Sequence, residues 1–370
     1  MTSSPPISLG IIGPRGFGAF CAETYLENGL ITLAALAGRD SANLNTLAAR
    51  FGSPKTYTDW REMVQDPAVE AVHIVTPPDC HAEMAVTALN AGKHIFIEKP
   101  LATTLDDARM ILEAASALGK VAGINYVMRY NPLYKTVSAI REASWLGDLT
   151  HVGFENCASD EGLSDDHWFW DPLASGGIFV EHGVHFFDII GAIAGAPVKD
   201  VVGKTWVRGD GTGKEDRVQA LVTYDNGVDA SFYHAFNRPG ALERQTAHFA
   251  FEQGHLTLHG WIPTALSLMA IVDDAGAAGL ASVLTLEDVP DDAFPAAVRG
   301  NGKELAVTRR VRATQTLGDP TPVYRQAVKD AFADFARAIR EPGYVPRVTV
   351  EDGAASLATA IAAHDSARGF

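Results

Sequence analysis

The chain has 370 residues, 47% of them hydrophobic and 20% charged, which is the composition of an ordinary globular protein with enough apolar material for two cores. Its formal net charge of −15 argues against nucleic acid or an anionic membrane as the main partner. Three cysteines without metal-type spacing, together with the lack of a basic leader or a membrane-length apolar run, predict a cytoplasmic protein with no signal peptide and no membrane span.

The first third of the chain alternates strand-like and helix-like patterns. Apolar runs bounded by turn residues predict strands at Ile7–Ile12, Ile31–Ala37, Ala71–Val75, Ile95–Ile97 and Val121–Val127. Helical spacing predicts helices from Gly18 to Gly29, around Leu44–Phe51, near Trp60–Val64, and over Ala82–Ala91 and Leu105–Leu118. Such alternation is typical of βαβ units, so we predict a doubly wound Rossmann domain with a parallel sheet over residues 1–128.

After residue 128 the pattern changes. Helices are predicted at Leu133–Trp145, Gly177–Ala194, Val323–Arg340 and Asp352–Ala367. Strands are predicted at Leu149–Asn156, Val201–Val207, Val218–Tyr224, Val228–Phe236, Ala247–Phe251 and Leu256–Leu258. Successive strands without helices between them predict a second, α+β domain over residues 129–370, with a large, mostly antiparallel, open-faced sheet. Residues 260–310 show no clear pattern, and their role stays open.

A glycine-rich turn follows the first predicted strand. A dinucleotide site needs a tight turn there, close backbone approach to a pyrophosphate, and a helix N-terminus aimed at it. Gly13 and Gly18 occupy the first and third glycine positions of G-x-G-x-x-G, while Arg15 stands at the second, followed by Gly16 and Phe17. The position after the first strand favours a dinucleotide site over a simple strand-to-helix turn.

The end of the second strand bears on the choice of cofactor. NAD sites often have an acidic residue there, whereas an arginine accommodates the 2′-phosphate of NADP. This chain has Arg39 and Asp40 at that point, and Arg39 can pair with a phosphate bidentately. We therefore favour NADP over NAD, although Asp40 could accept from a ribose hydroxyl or cap the next helix.

Two further motifs bring ionisable groups to the predicted ligand edge. The run Ile95–Pro100 ends in Glu98 and Lys99, which delivers a lysine to the carboxyl end of a strand; alone, it could be a surface turn. Downstream, Glu181 and His185 are four residues apart on a predicted helix, a spacing that lets a carboxylate orient an imidazole as a general base. A metal site built from His182 and His185 is less favoured, because no third ligand cluster follows; we expect no metal.

These motifs resemble the Gfo/Idh/MocA oxidoreductases, the glucose–fructose oxidoreductase and inositol dehydrogenase family. The resemblance rests on the following stretches: Gly13–Gly18, Thr76-Pro77-Pro78 with His81 and Glu83, Ala91–His94, Glu98-Lys99-Pro100, Arg129–Pro132, Gly176–Asp188, Glu351-Asp352-Gly353 and Ser366-Ala367-Arg368. It implies an NAD(P)-dependent dehydrogenase or reductase of sugars, cyclic polyols or their derivatives, forming a homodimer or homotetramer.

The resemblance also implies residue roles. Lys99 lies at the substrate oxygen, His185 shuttles the proton, and Glu181 stands where the family usually has aspartate. The Lys99–Pro100 bond is expected to be cis. Besides the glycine turn and Arg39, the residues expected at the cofactor are Thr76, Pro77, His81, Glu98 and Lys99.

Substrate recognition is assigned mainly to the second domain. Trp168 and Trp170 could stack on the apolar faces of a sugar ring, with Asp171 accepting from hydroxyls; a hydrophobic plug or a subunit contact is as good an explanation. Further substrate candidates are Tyr126, Arg129, Asn156, His182 and Asp188, the last of which could equally be structural. Asn237, Arg238 and His234 are weaker candidates.

Two other functions compete with a sugar or polyol oxidoreductase. A non-catalytic sensor could keep the nucleotide fold and regulate partners, but it would not need both Lys99 and His185. A reductase of a non-sugar carbonyl or an imine would need the same residues, and the sequence offers no feature that separates it from a sugar enzyme.

Overall fold

The computed structural model describes residues 5–290, 297–300 and 302–369. Residues 1–4, part of the stretch on which the absence of a leader was predicted, lie outside the described residues. The described chain forms two compact units. The first contains the residues up to Tyr130 with His167–His185 and Arg325–Ile361; the second contains the rest. The predicted domains are continuous in sequence whereas these units are not, so the boundary between residues 128 and 129 stays a prediction.

The first unit is built on six parallel strands in the order β3-β2-β1-β4-β5-β6. The strands are β1 Ile7–Ile12, β2 Ile31–Ala37, β3 Lys55–Tyr57, β4 Ala71–Ile74, β5 His94–Ile97 and β6 Ala122–Ile124. The helices between them are α1 Phe17–Glu27, α2 Ser41–Arg50, α3 Trp60–Gln65, α4 His81–Asn90 and α5 Leu105–Leu118. This strand order is that of the Rossmann fold, and the predicted doubly wound sheet is confirmed.

Burial explains why these short apolar runs become strands. Leu9, Leu36, Val72 and Ile95 are 0% exposed. Strands covered by helices on both faces read as continuous apolar runs, which is the pattern that the sequence shows. The three-residue strand β3 has no such pattern, since Lys55 and Thr56 are exposed, and it was not predicted.

The remaining strands are β7 Leu149–Ser159, β8 Val198–Val207, β9 Glu215–Tyr224, β10 Asp229–Arg238, β11 Arg244–Phe251, β12 Gly254–His259, β13 Ala265–Val272, β14 Glu287–Asp288, β15 Ala297–Gly300, β16 Lys303–Ala306 and β17 Arg309–Thr316. The remaining helices are α6 Pro132–Glu142, α7 Pro172–Ser175, α8 Val184–Ala194, α9 Asp274–Ala281, α10 Pro320–Arg340 and α11 Val350–Arg368. The stretch that gave no pattern in the sequence therefore contributes β13 to β17 and α9.

The second unit contains a nine-stranded sheet in the order β14-β17-β13-β12-β11-β7-β10-β9-β8. Only the β7–β10 pair is parallel among these strands as described, so the predicted mostly antiparallel sheet is confirmed. Phe154, Phe232 and Phe249 lie on its buried face and are at most 3% exposed. Side chains of the opposite face are partly exposed, as alternation along each strand requires. Strands β15 and β16 form a separate hairpin.

The helical run around residue 180 departs from the prediction of one regular helix. It consists of α7, a π-helical turn over Phe179–Gly183, and α8. Within the described residues, Pro172–Ala194 is long and apolar enough to cross a membrane by length and composition, which the sequence analysis did not anticipate. However, 72% of its apolar window is buried inside the protein, as in the core helices of many folds.

Candidate active site

The glycine turn after β1 has the backbone geometry that its sequence suggests. A Cβ on Gly13 would lie 2.0 Å from the carbonyl oxygen of Val75, and one on Gly18 would lie 2.3 Å from the carbonyl oxygen of Gly13. Any side chain at these two positions would therefore clash with backbone. Gly16 faces open space but has a φ of 50°, a conformation that favours glycine.

The start of α1 fits the pyrophosphate of a dinucleotide. No side chain caps this helix or α4, whereas Asp40, Asp59 and Thr104 cap α2, α3 and α5. Uncapped N–H groups at a helix N-terminus favour an anion. Arg15 and Gly16 are exposed and Phe17 is half-buried, so the turn is accessible. The residues present thus suit a bound dinucleotide.

At the end of β2, the hydrogen bonds of Asp40 distinguish its two predicted roles, acceptor from a ribose hydroxyl or cap of the next helix. Its Oδ1 accepts hydrogen bonds from the amides of Ala42 and Asn43, both at 3.1 Å, so Asp40 caps α2. Arg39 is exposed, and its charge acts on the thiol of Cys80 in the turn after β4. Its guanidinium is therefore available near the carboxyl ends of β2 and β4.

His81 joins the loops that follow β4 and β5. Its ring is 0% exposed, with Nδ1 at 2.8 Å from the Pro100 carbonyl oxygen and Nε2 at 3.0 Å from that of Thr76. Burial lowers the pKa of His81, while the two carbonyl acceptors act in the opposite direction. Thr76 and Pro77 are half-buried in the same loop. That these three residues contact the cofactor stays a prediction.

Glu98 is held in a buried polar group that the sequence did not reveal. Its Oε1 lies 3.0 Å from His73 Nε2 and 2.7 Å from Asn125 Nδ2. The thiol of Cys21 lies nearby. Cys21, His73 and Glu98 each offer a ligand atom within 4.8 Å of the other two, which is close enough to hold a metal ion. The separation of His73 and Glu98 is that of a direct hydrogen bond, and burial raises the pKa of Cys21, which keeps it a thiol. We interpret the group as a hydrogen-bonded network that fixes Glu98.

Lys99 and Glu181 come together although 82 residues separate them. Lys99 Nζ donates to the Glu181 carboxylate at 2.5 Å and to the Glu181 carbonyl oxygen at 2.8 Å. Both side chains are mostly buried, 17% and 13% exposed. The Lys99–Pro100 bond is cis, as the resemblance implied. The ammonium group of Lys99 is therefore held at the carboxyl end of β5, where ligands of such sheets bind.

Two histidines follow Glu181. His185 is 5% exposed, and its ring centroid lies 6.2 Å from that of Tyr126 and 6.3 Å from that of His182. Burial, and next the positive charge of Lys99, lower the pKa of His182 to about 3, so this ring is neutral. Because Glu181 lies in the π-helical turn, it need not share the face of His185 as it would on an α-helix. Orientation of His185 by Glu181 stays a prediction.

Tyr126 and Arg129 are both engaged by α11. The Tyr126 hydroxyl lies 2.5 Å from Ser356 Oγ, and Arg129 Nη2 donates to Asp352 Oδ1 at 3.0 Å. Tyr126 is only 1% exposed. Both residues thus brace the chain after β6, and a role for them in substrate binding stays a prediction.

The predicted aromatic cluster lies in the first unit, beside the turn after β4. Phe169 is buried and meets Trp170 edge to face with ring centroids 4.9 Å apart, whereas Trp168 is 37% exposed. Asp171 caps α7 by accepting from the Leu173 amide at 2.9 Å, and α7 lies against Pro78–Cys80. The two tryptophans are therefore accessible to different degrees, and Asp171 has a structural role of its own.

The second unit contains two more of the predicted substrate residues. Asn156 on β7 is 0% exposed, and within the described chain neither its amide oxygen nor its amide nitrogen has a hydrogen-bond partner. Asp188 on α8 is 3% exposed. The weaker candidate His234 pairs with Asn156 across β10 and β7 and is also fully buried.

Sequence reasoning missed the residues that support the site. His73 and Asn125 fix Glu98, while Ser356 and Asp352 engage Tyr126 and Arg129. Asn125 was hidden in a predicted strand; a polar residue at the end of an apolar run is the signal that could have identified it. Ser356 lies 230 residues from Tyr126, and no local pattern connects them.

Two family models match the chain. Residues 7–126 match the GFO/IDH/MocA oxidoreductase family, NAD-binding Rossmann fold, and residues 134–257 match the GFO/IDH/MocA C-terminal domain. D-xylose 1-dehydrogenase (NADP⁺) 2 of Haloferax volcanii is 26% identical over 97% of this chain and 96% of that protein. 1,5-anhydro-D-fructose reductase of Ensifer adhaerens is 33% identical, over 51% of this chain and 57% of that protein.

Solved structures agree on the fold. Levoglucosan dehydrogenase in complex with NADH and L-sorbose superimposes with a TM-score of 0.79 over 99% of this chain and 98% of that one, at 20% identity. The two matching family models, for the NAD-binding Rossmann fold and for the C-terminal domain, together cover about two thirds of the residues of this chain. The chain belongs to the GFO/IDH/MocA oxidoreductase family.

Proposed function

We propose that this protein is an NAD(P)-dependent oxidoreductase that moves a hydride between nicotinamide and the hydroxyl or carbonyl carbon of a sugar, a cyclic polyol or a sugar derivative. The observation that carries the proposal is the placement of Lys99, with Glu181 and the two histidines beside it, at the carboxyl edge of a sheet with a dinucleotide-type turn. Relatives of this chain are named as dehydrogenases or reductases of xylose, anhydrofructose and levoglucosan.

Lys99 and His185 both act on the substrate oxygen, Lys99 by stabilising negative charge and His185 by transferring the proton. When bound, the nicotinamide accepts the hydride in oxidation and returns it in reduction. In oxidation the carbinol hydrogen leaves with its bonding electron pair as hydride, and the O–H proton passes to His185, so that a carbonyl forms. The ammonium group of Lys99 stabilises the negative charge that develops on the oxygen. Reduction runs the same steps backwards.

Glu181 and His182 set the charge around Lys99. Two oxygens of Glu181 fix the ammonium group in one position, which avoids reorganisation when charge develops. His182 stays neutral and adds no second positive charge. On this proposal His182 offers a hydrogen bond to the substrate, and the exposed face of Trp168 offers a surface for a sugar ring.

NADP is the proposed cofactor, with NAD as the alternative. Arg39 is exposed and positively charged, and Asp40 is engaged as a helix cap rather than turned to a ribose. The glycine turn, Thr76, Pro77 and Glu98 complete the proposed cofactor site.

We also propose that the protein is cytoplasmic and assembles into a homo-oligomer. The three cysteines are free thiols, which suits the cytoplasm. The partly exposed face of the nine-stranded sheet suits a homodimer or homotetramer, and the net charge of −15 speaks against nucleic acid or an anionic membrane surface as partner.

Nicotinamide absorbance tests the proposal. Purified protein is assayed with NAD and NADP against a panel of aldoses, inositols and sugar acids, beside Lys99→Met and His185→Ala. We expect turnover on at least one polyol and a fall in kcat of about 10²–10⁴-fold in either variant, as for loss of a general base or of an oxyanion-stabilising group.

Lys199→Met is the matched control, since Lys199 is an exposed lysine on β8, and its kcat should be unchanged. Equal turnover in Lys99→Met, His185→Ala and wild type would remove the catalytic assignment. Tight cofactor binding without turnover on any panel member would instead favour a non-sugar carbonyl, an imine, or a sensor.

A further inference from the structure

Glu98 is a mostly buried acid whose carboxylate is held by an amide and an imidazole. Its side chain is 11% exposed. The Oε1 atom accepts a hydrogen bond from Asn125 Nδ2 at 2.7 Å and lies 3.0 Å from His73 Nε2. Two N–H donors on one carboxylate oxygen favour the ionised form. Glu98 therefore carries a negative charge in a fixed position.

The imidazole of His73 does not neutralise this charge. His73 lies on β4 and is 0% exposed, and within the described chain its Nδ1 has no hydrogen-bond partner. A second proton, on Nδ1, would leave a charged N–H group without an acceptor in the protein interior, which costs free energy. The single ring proton is therefore on Nε2, which donates it to Glu98, and His73 is neutral.

The negative charge of Glu98 acts on the residues around it. After burial, it is the next cause that raises the pKa of Cys21 on α1. After burial and the two carbonyl acceptors, it is also the next cause that acts on the pKa of His81, which it raises. Lys99, the following residue, is already paired with Glu181. Glu98, Lys99 and Glu181 together therefore carry a net negative charge.

Glu98 follows β5, in the half of the sheet that takes the nicotinamide. A sheet of the order β3-β2-β1-β4-β5-β6 has two mononucleotide-binding halves. Arg39, proposed for the 2′-phosphate of the adenosine, follows β2, so the nicotinamide mononucleotide falls to the half formed by β4 to β6. Loss of a hydride leaves a positive charge on the nicotinamide ring, and return of the hydride removes it. A fixed negative charge beside the ring therefore favours its oxidised form.

We propose that Glu98 stabilises the oxidised cofactor relative to the reduced one and thereby favours reduction of a carbonyl substrate over oxidation of an alcohol. The inference rests on the proposed function. Stabilisation of the oxidised form lowers the reduction potential of the bound cofactor, so the reduced form gives up its hydride more readily. The hydride carries two electrons to the carbonyl carbon, and His185 supplies the proton that completes the hydroxyl. His73 and Asn125 act through Glu98 as positioning residues.

Binding of NADPH and NADP⁺ to the full-length protein tests the inference without turnover. The fluorescence of NADPH reports its binding, and displacement of NADPH reports that of NADP⁺. The wild type should bind NADP⁺ at least as tightly as NADPH. Glu98→Gln should raise the ratio of the Kd for NADP⁺ to the Kd for NADPH about tenfold, which is the effect of one unit charge acting through several ångströms of protein. Most of the change should lie in the Kd for NADP⁺.

Two further variants separate the charge of Glu98 from its shape. Glu98→Asp keeps the charge and should keep the wild-type ratio, even where the shorter side chain weakens the binding of both forms alike. Glu113→Gln is the matched control, because Glu113 is an exposed glutamate on α5, and both of its Kd values should equal those of the wild type. Circular dichroism of each variant checks that the fold is intact.

The outcomes distinguish the inference from the proposed function. Equal weakening of both forms in Glu98→Gln would give Glu98 a structural role and overturn the inference. A wild type that binds NADPH more tightly than NADP⁺ would also overturn it, and in both cases the proposed function would stand. If neither these nucleotides nor NADH and NAD⁺ bind, the proposed function fails and the inference fails with it.

Discussion

At the proposed site, the net charge around Lys99 depends on the two side chains beside it, Glu181 and His182. Lys99 is a mostly buried cation, and a buried charge is tolerated only when a partner compensates it. Glu181 supplies that partner, while His182 remains neutral because burial and Lys99 oppose its protonation. The pair is therefore close to neutral overall, with its ammonium group still directed at the ligand edge.

Arg39 permits a prediction about cofactor choice. Arg39→Ala should raise KM for NADP about 10–100-fold, the loss expected for one charge-assisted hydrogen bond to a phosphate, while KM for NAD changes by less than about threefold. Initial-rate measurements with each cofactor at saturating substrate give both values.

Arg109→Ala serves as the comparison, because Arg109 is an exposed arginine on α5 that forms surface ion pairs with Asp106 and Glu113. It should leave both KM values unchanged. An equal rise for NADP and NAD in Arg39→Ala would mean that Arg39 acts on a part of the cofactor that both share.

At the scale of elements, the sequence predicted the bounds of strands and helices most accurately where a segment is followed by glycine. Strands β1 and β2 and helix α5 have the predicted bounds. Strand β6 is shorter than predicted, because Asn125 turns its side chain to Glu98 and the backbone leaves the sheet for a 3₁₀ turn over Val127–Tyr130. Local apolarity indicates a strand, but the point where pairing ends depends on a partner elsewhere.

The cap on α2 gives a prediction at this scale. Asp40→Ala should lower the free energy of unfolding by about 1 kcal/mol, since two first-turn amides lose their acceptor. KM for NADP should not change. Urea denaturation and initial rates measure the two effects.

Asp40→Asn is the companion variant, because asparagine caps a helix about as well as aspartate. Its stability should stay within a few tenths of a kcal/mol of the wild type. A large rise in KM in this variant, with stability unchanged, would assign Asp40 to the ribose after all.

The whole molecule should lose stability in mild acid. Burial lowers the pKa of His182 to about 3 and that of His94 to about 4, and it also lowers that of His81. Between those values and the unfolded pKa near 6.5, the unfolded chain binds more protons than the folded one, so stability falls as pH decreases below about 6.5. His182 should contribute up to about 2 kcal/mol of this loss between pH 6.5 and 5, and the partly exposed His94 less.

Urea midpoints at pH 7.5, 6 and 5 check this expectation. His94→Gln should flatten the decline, whereas His259→Gln, at an exposed position, should leave it unchanged. A midpoint that is constant from pH 7.5 to 5 would contradict the neutral, buried state of these rings.

The sequence by itself determined the parallel sheet, the glycine turn, and the types of residue that carry the proposed chemistry. These features depend on near neighbours: apolar runs, glycine conformation and helix periodicity act over a few residues. The tertiary structure decided which groups meet. It brought Glu181 to Lys99, His73 and Asn125 to Glu98, and Ser356 to Tyr126. Those contacts join residues 25 to 230 positions apart, and only the packing of the folded chain specifies such pairs.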